Sequence, residues 1–407
     1  MPFLPWMIRM RQVSRSTSAS RIRMSSETRC LLRRVNTRRA RGLRYPAPLP
    51  NRALTQLLED PRYPHTHLVH ESVACGVRGT GRSVLIAGRT RRERLDGMEA
   101  GVHLPQVEFA GEELSLRRLA DTVDAARANG FAAVSVNDHF LFGAPWLDGL
   151  TALAAVADRS GPMTLATTVS LAALRGPVPL AKAVATLDVL SGGRMVAGVG
   201  AGSSRSDYDA LGADFESRWQ RFDEAVTVLR ALLGGAEPPA GGRHFAVPEA
   251  RLLPVPRPAG AVPLWVGSWG SAAGLRRVAR LGDGWLASAY NLTPAGFAAA
   301  RALLREELAA AGRPADGFPH ALVTMWTWIT EDRAEADRVI TDRLAPLLKR
   351  DPATLRGRVC VGPAGMCAEL LSGFAEAGCG RVHFWPLGAE GRQVDLIASK
   401  VLPGIRP

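Results

Sequence analysis

The stretch from Gly176 to Leu233 constrains this chain more than any other. It reads GPVPLAKAVATLDVLSGGRMVAGVGAGSSRSDYDALGADFESRWQRFDEAVTVLRALL. Its order is helix, tight turn, buried strand, glycine-rich loop, helix. Val178, Leu180, Ala181, Val184, Leu187 and Leu190 recur at helical spacing and predict one apolar face. Ser191-Gly192-Gly193-Arg194 ends that helix, because glycine enters the left-handed conformation that a C-terminal cap needs. Met195 to Val199 is short and apolar, as a strand covered on both faces should be. Gly198, Gly200 and Gly202 follow at alternate positions, where the backbone must bend or admit a ligand closely. Phe215, Trp219, Phe222, Val226 and Leu229 are expected to line the next helix. A strand ending in a glycine loop between two helices is the repeating unit of an α/β enzyme, whose site lies at the strand's carboxyl end.

The same alternation continues on both sides. Strand-like runs fall at Val102–Leu104, Ala132–Asn137, Met163–Val169, Met195–Val199, Leu264–Val266, Gly284–Ala287, Ala321–Ile329 and Arg381–Trp385. Amphipathic helical patterns separate them, among them Leu116–Ala128, Leu147–Asp158, Pro294–Ala311 and Glu331–Leu348. This pattern predicts an α/β fold, a single (β/α)8 TIM barrel of about 300 residues, with an open doubly wound sheet as the alternative. Two inserts break the rhythm: Gly234–Val262, rich in Pro and Gly, and residues 349–363.

Charge divides the chain in two. The whole carries a net +13, but residues 1–97 hold 20 Arg, no Lys and 6 acidic residues, leaving 98–407 at −1. The expected domains are therefore a disordered basic N-terminal leader (1–97) and a barrel (98–407). An arm touching nucleic acid or membrane and a transit peptide are alternative readings of that leader. With 3 Lys against 48 Arg, the composition points to GC-rich coding and to a misassigned start, with Met98 as the true one. A neutral barrel argues for no nucleic-acid partner. No apolar run reaches the ~18 residues of a membrane span. The five Cys form no CxxC pair, so reduced cytoplasmic thiols are the default. His103, His244, His320 and His383 lack metal-ligand spacing, so no metal is expected.

PVPLAKAVATLDVLSGGR, followed by VAGVGAG and then DYDALGADFESR, resembles the bacterial luciferase-like monooxygenase family. The resemblance extends from about Gly101 to Leu402. It implies a TIM barrel and a reduced flavin or deazaflavin bound at its mouth. The reaction it implies is hydride transfer to, or oxygenation of, a small organic substrate. Family members are commonly dimers, so a homodimer is expected. An FMN-dependent alkanal- or alkanesulfonate-type monooxygenase is one alternative. A non-redox, phosphate-binding isomerase or aldolase barrel is another, although no Schiff-base lysine follows any strand.

In a barrel the working residues follow the strands. Asn137-Asp138-His139-Phe140 follows the second; a His beside an Asp serves as a general base or in a structural hydrogen bond. The family places Asp-His or His-His there against the ring, which makes His139 and Asp138 the candidate catalytic pair. Thr168 and Val169 end the third strand, where the resemblance implies a non-proline cis peptide and a bulge behind the ring. Gly200 and Gly202 follow the fourth strand. FMN enzymes of the family carry a phosphate-binding Arg at the position of Ala201, and Arg218 lies near a second such Arg. Gly267-Ser268-Trp269-Gly270-Ser271 opens a helix, whose free N–H groups and dipole favour an anion. Ser271 reads equally as an N-cap, and the resemblance gives Ser268 and Ser271 to the cofactor phosphate. The missing Arg at 201 places coenzyme F-420, the deazaflavin, ahead of FMN.

Overall fold

The computed structural model describes residues 98–406 apart from 110, 248–250, 257 and 259–261. The expected leader and the middle of the first insert lie outside the described residues. Ten strands form one sheet: β1 Glu99–His103, β2 Ala133–Val136, β3 Thr164–Thr167, β4 Ser170–Leu171, β5 Met195–Gly200, β6 Leu264–Ser268, β7 Gly284–Ser288, β8 His320–Ile329, β9 Cys360–Gly362 and β10 Arg381–Pro386. Eight of them close in the order β1-β2-β3-β5-β6-β7-β8-β10, all parallel, with β10 returning to β1 at Val102↔Phe384. The closed (β/α)8 barrel is thus the fold, and the open sheet is excluded.

Each expected strand run is present, but the ends move. The third was expected to reach Val169, yet it stops at Thr167, and the peptide between Thr168 and Val169 is cis. After that break Ser170 and Leu171 pair with Val199 and Gly200 of β5. The strand β9 was not expected, since residues 349–363 read as an insert. It pairs with the outer half of β8, Thr327↔Cys360 to Ile329↔Gly362. Within β8 the register shifts near Thr324, a non-glycine residue at φ 61. The strand closes the barrel by pairing with β7 from His320 to Val323 and with β10 from Leu322 to Thr327, and only its last residues run on along β9.

The helix Pro177–Ser191 ends as expected at Gly192, with φ 68. It buries Leu180, Ala181, Val184, Ala185 and Leu187, but Val178 and Leu190 are exposed. At 100° per residue those two stand roughly a third of a turn off the buried stripe. Trp219 was expected in the core of the helix Arg218–Leu233. It is 42% exposed instead, with the Arg277 guanidinium 4.7 Å from its ring, while Phe222, Val226 and Leu229 are buried.

The main core lies between strands and helices. A smaller one fills the barrel axis with Trp265, Leu286, Ala321 and Val323. A third, at the mouth, joins Val107, Trp326, Trp385 and Leu387 to Val339, Ile340, Leu344 and Leu355 of the segment after β8. Gly198 shows why small residues stand where β5 passes β3: a Cβ there would meet the Thr167 carbonyl oxygen at 1.9 Å. Among the described residues no helix is long and apolar enough to cross a membrane.

Candidate functional site

The site assembles where β2, β3, β5 and β6 end. Asn137 organises the first part. Its side-chain oxygen accepts the N–H of Asp138 at 2.8 Å and that of Val169 at 3.2 Å. Gln106 accepts the Asn137 N–H at 2.6 Å and donates to its carbonyl at 2.8 Å, joining the loops after β1 and β2. The loop carrying His139 is held by its backbone.

His139 and Asp138, neighbours in sequence, face different partners. The His139 Nδ1 lies 2.8 Å from Oδ2 of Asp207, on the short helix Arg205–Ala210. Oδ1 of Asp207 accepts the N–H groups of Phe140 (3.1 Å) and Leu141 (2.8 Å). Burial alone would raise the Asp207 pKa. The bonds from the His139 ring and the backbone outweigh it and hold the carboxyl below its usual range. Asp138 is buried against Arg175 at 2.6 and 2.7 Å, and it accepts the Leu171 N–H at 3.1 Å. The same guanidinium bonds Asp148. Asp138 therefore pins the short β4 segment, and the carboxylate that orients His139 is Asp207.

Sequence reasoning missed Asp207, Asn137 and Arg175. Ser204-Arg205-Ser206-Asp207 has the spacing of a capping box, and Ser204 does cap this helix. The Asp207 carboxylate, which that motif would turn back to the cap, crosses to His139 instead.

Val169, behind the cis peptide, fills a gap left by two glycines. A Cβ on Gly200 would stand 2.7 Å from Val169 Cγ2, and one on Gly267 3.0 Å from Cγ1. Thr168 is buried and bonds the Val136 carbonyl at 3.2 Å. Gly202, at φ 86, turns the chain toward Ser204. Gly200→Ala is expected to destabilise by about 1–3 kcal/mol through overpacking, and Val169→Ala should recover most of that loss. Urea titrations of the two single variants and the double variant measure the coupling; strict additivity would refute the contact.

Beside it lies the β6 loop. Ser271 caps the helix Ala272–Leu281 by accepting the Gly274 N–H at 3.2 Å. Ser268 accepts the Gly270 N–H at 3.3 Å, and the Trp285 indole fixes the Ser268 carbonyl at 3.1 Å. A Cβ on Gly274 would meet Ser268 Oγ at 2.4 Å and Ser271 Oγ at 3.0 Å, so both hydroxyls converge on the first turn of the helix. Each accepts one bond and keeps its proton to donate. The arrangement suits an anion such as a phosphate.

Arg218 does not join this cradle. It donates to the Phe215 carbonyl at 2.9 Å, and its guanidinium lies 4.0 Å from the Phe215 ring. Ala201 is buried, and its carbonyl accepts the Tyr208 hydroxyl. Toward the barrel axis, His139 meets Phe142 and Trp146 at 4.9 and 4.7 Å. Beyond Trp146, Trp385 is stacked between His103 (3.4 Å) and Trp326 (4.2 Å).

Comparison with known proteins bears on the family and the fold. An F420-dependent glucose-6-phosphate dehydrogenase of Mycobacterium tuberculosis is 28% identical over 221 residues, 51% of this chain and 64% of that protein, just under two thirds of its length. The protein of that name from Intrasporangium calvum is 26% identical over 341 residues, covering 73% of this chain and 97% of its own. Among solved structures, an F420-dependent secondary alcohol dehydrogenase in complex with an F420-acetone adduct superposes with a TM-score of 0.66 at 19% identity, covering 76% of this chain and all of that one. A Streptomyces bottropensis monooxygenase gives 0.65 at 20%, over 75% and 99%. At those identities the superpositions speak for the fold. The model of luciferase-like monooxygenases matches residues 98–359, and with that match the chain belongs to the luciferase-like monooxygenase family.

Proposed function

We propose that this protein is a deazaflavin-dependent oxidoreductase of that family, acting on a small organic substrate at the barrel mouth. The observation that carries the reading is the convergence of the Ser268 and Ser271 hydroxyls at a helix start, one strand away from the bulge of Val169. A phosphate-bearing cofactor fits there: the cradle offers neutral donors and a helix dipole, and Gly200 and Gly267 leave room for the Val169 side chain. Coenzyme F-420 supplies two-electron redox chemistry when bound. The curated relatives named above are F420-dependent by name, and Ala201 offers no guanidinium to the FMN phosphate.

The chain's own residues then divide the work. Ser268, Ser271 and the first turn of Ala272–Leu281 bind the phosphate. Thr168, Val169, Gly200, Gly202 and Gly267 shape the surface behind the ring. His139 moves a proton through Nε2, while Nδ1 rests on Asp207, which fixes the ring's orientation. Asp138 with Arg175 is a positioning pair that holds the loop. The aromatic rings around Trp146 and Trp385 exclude water from the mouth.

Ser268→Ala/Ser271→Ala is expected to weaken F-420 binding by roughly ten- to a hundredfold, followed by fluorescence titration. Loss of the N-cap costs about 1 kcal/mol, so the fold should persist. Ala201→Arg should improve FMN binding. Tight FMN binding by the unaltered protein, with no response to F-420, would overturn the proposal.

A further inference from the structure

The first insert returns to the barrel at His244-Phe245. Both backbone N–H groups donate to the Glu224 carboxylate, at 3.0 Å for His244 and 2.7 Å for Phe245. This docks the pair on the helix Arg218–Leu233, beside Gly176, whose added Cβ would lie 3.8 Å from the Phe245 ring. One turn before Glu224 stands Arg221, its guanidinium 5.1 Å from the same ring. Among the described residues Arg221 forms no ion pair or side-chain hydrogen bond, and its Nε is buried without a partner. The Nε2 of His244 is also buried and, among the described residues, unpartnered.

Neighbouring arginines differ. Arg218 donates to Phe215, Arg277 and Arg280 share Asp223, and Arg205 meets Glu216. A guanidinium only donates and stays charged, so the partner that Arg221 lacks is an acceptor, best an anion. Glu224, the nearest acid on the same helix, is engaged by the insert's backbone. The helix that carries Arg221 also reaches toward the glycine loop: Arg218, one turn earlier, lies 4.0 Å from the Phe215 ring, that ring meets Tyr208 at 5.3 Å, and the Tyr208 hydroxyl donates to the carbonyl of Ala201.

We propose that Arg221, with His244 of the insert, forms a second anion subsite on the barrel rim that takes an acidic group of the cofactor's tail. The assignment rests on the deazaflavin reading above: F-420 carries carboxylates beyond its phosphate, whereas FMN ends at the phosphate. It gives the insert a role in cofactor choice.

Two measurements on the full chain test it. In the Ser268→Ala/Ser271→Ala background, where the first cradle is weakened, inorganic phosphate should raise the melting temperature by about 2 °C over chloride at equal ionic strength. Adding Arg221→Gln should abolish that rise, and Arg221→Lys, which keeps the charge without the fork, should leave part of it. In the protein with its serines intact, the preference for F-420 over the tail-less deazaflavin chromophore should fall roughly tenfold with Arg221→Gln. Absence of any phosphate response at Arg221 would overturn the subsite. A phosphate response with an unchanged chromophore preference would make it a site for free anions and overturn the tail assignment. Failure to bind either chromophore would remove the cofactor reading, and the tail assignment with it. The phosphate measurement would still decide whether Arg221 holds an anion.

Discussion

His139→Asn is expected to lower kcat by two to four orders of magnitude, the usual worth of a general acid or base, with a much smaller change in F-420 affinity. The ring stands at the end of β2 with Nδ1 committed to Asp207, so Nε2 is the atom left for substrate. Asparagine retains a polar side chain but cannot exchange a proton near neutral pH. Asp207→Asn provides the finer test, since its remaining oxygen can still accept from Phe140 and Leu141. The amide can still meet Nδ1 but no longer fixes the ring's tautomer, so kcat should fall while F-420 affinity stays near that of the unaltered protein. A purely structural Asp207 would lower the folded fraction and leave kcat per folded molecule unchanged. That result, or near-normal kcat in His139→Asn, would remove the pair from the mechanism.

Acid is expected to unfold this protein more sharply than its carboxylates require. His103 and His383 lie inside the barrel, 1% and 3% exposed. Desolvation pushes both down to about 3, with the charge of Arg381 adding to the effect at His383. In the unfolded chain both return to the ordinary 6.5. Between those values the unfolded state binds protons that the folded state refuses, so stability falls as pH falls. The contribution is fully present above pH 6.5 and is lost toward pH 3. Each histidine costs about 1.4 kcal/mol per pH unit in that window. Two of them would exhaust a typical stability of about 5–15 kcal/mol within a few units. Urea midpoints at pH 7, 6, 5 and 4 measure the slope. His103→Phe keeps a ring against Trp385 and should roughly halve it. An unaltered slope in that variant would show that the histidines are not responsible.

The parts of this molecule legible in the sequence are those fixed by period and by steric necessity. Strands covered on both faces read as short apolar runs, and the run around Met195–Val199 is correct to one residue. Gly198 and Gly200 could be marked as places of close approach, and a Cβ on either would meet a neighbour, the Thr167 carbonyl oxygen at 1.9 Å or Val169 at 2.7 Å. The cap at Ser271 was legible because a helix start is written locally. The partner of His139 was not. Asp207 is 68 residues away, and its local spacing describes a helix cap just as well. The strand β9 was hidden for a related reason: three residues carry no period, and their pairing depends on how far β8 runs past the barrel. Trp219 misled because a large aromatic side chain reads as core, whereas an arginine face can cover it at the surface.

The long strand β8 has a consequence for how this enzyme could change. It is a stave of the barrel as far as Thr327, which pairs with Pro386 of β10, while its last residues, to Ile329, run past that pairing and anchor β9. The segment between them, with its helices from Arg333 to Leu355, is therefore carried on a cantilever whose fixed end lies in the sheet and whose free side packs over Trp326 and Trp385. Residues added to or lost from that segment shift the overhang without breaking a barrel hydrogen bond. Changes of length there would rebuild the outer wall of the mouth while the barrel strands keep their register.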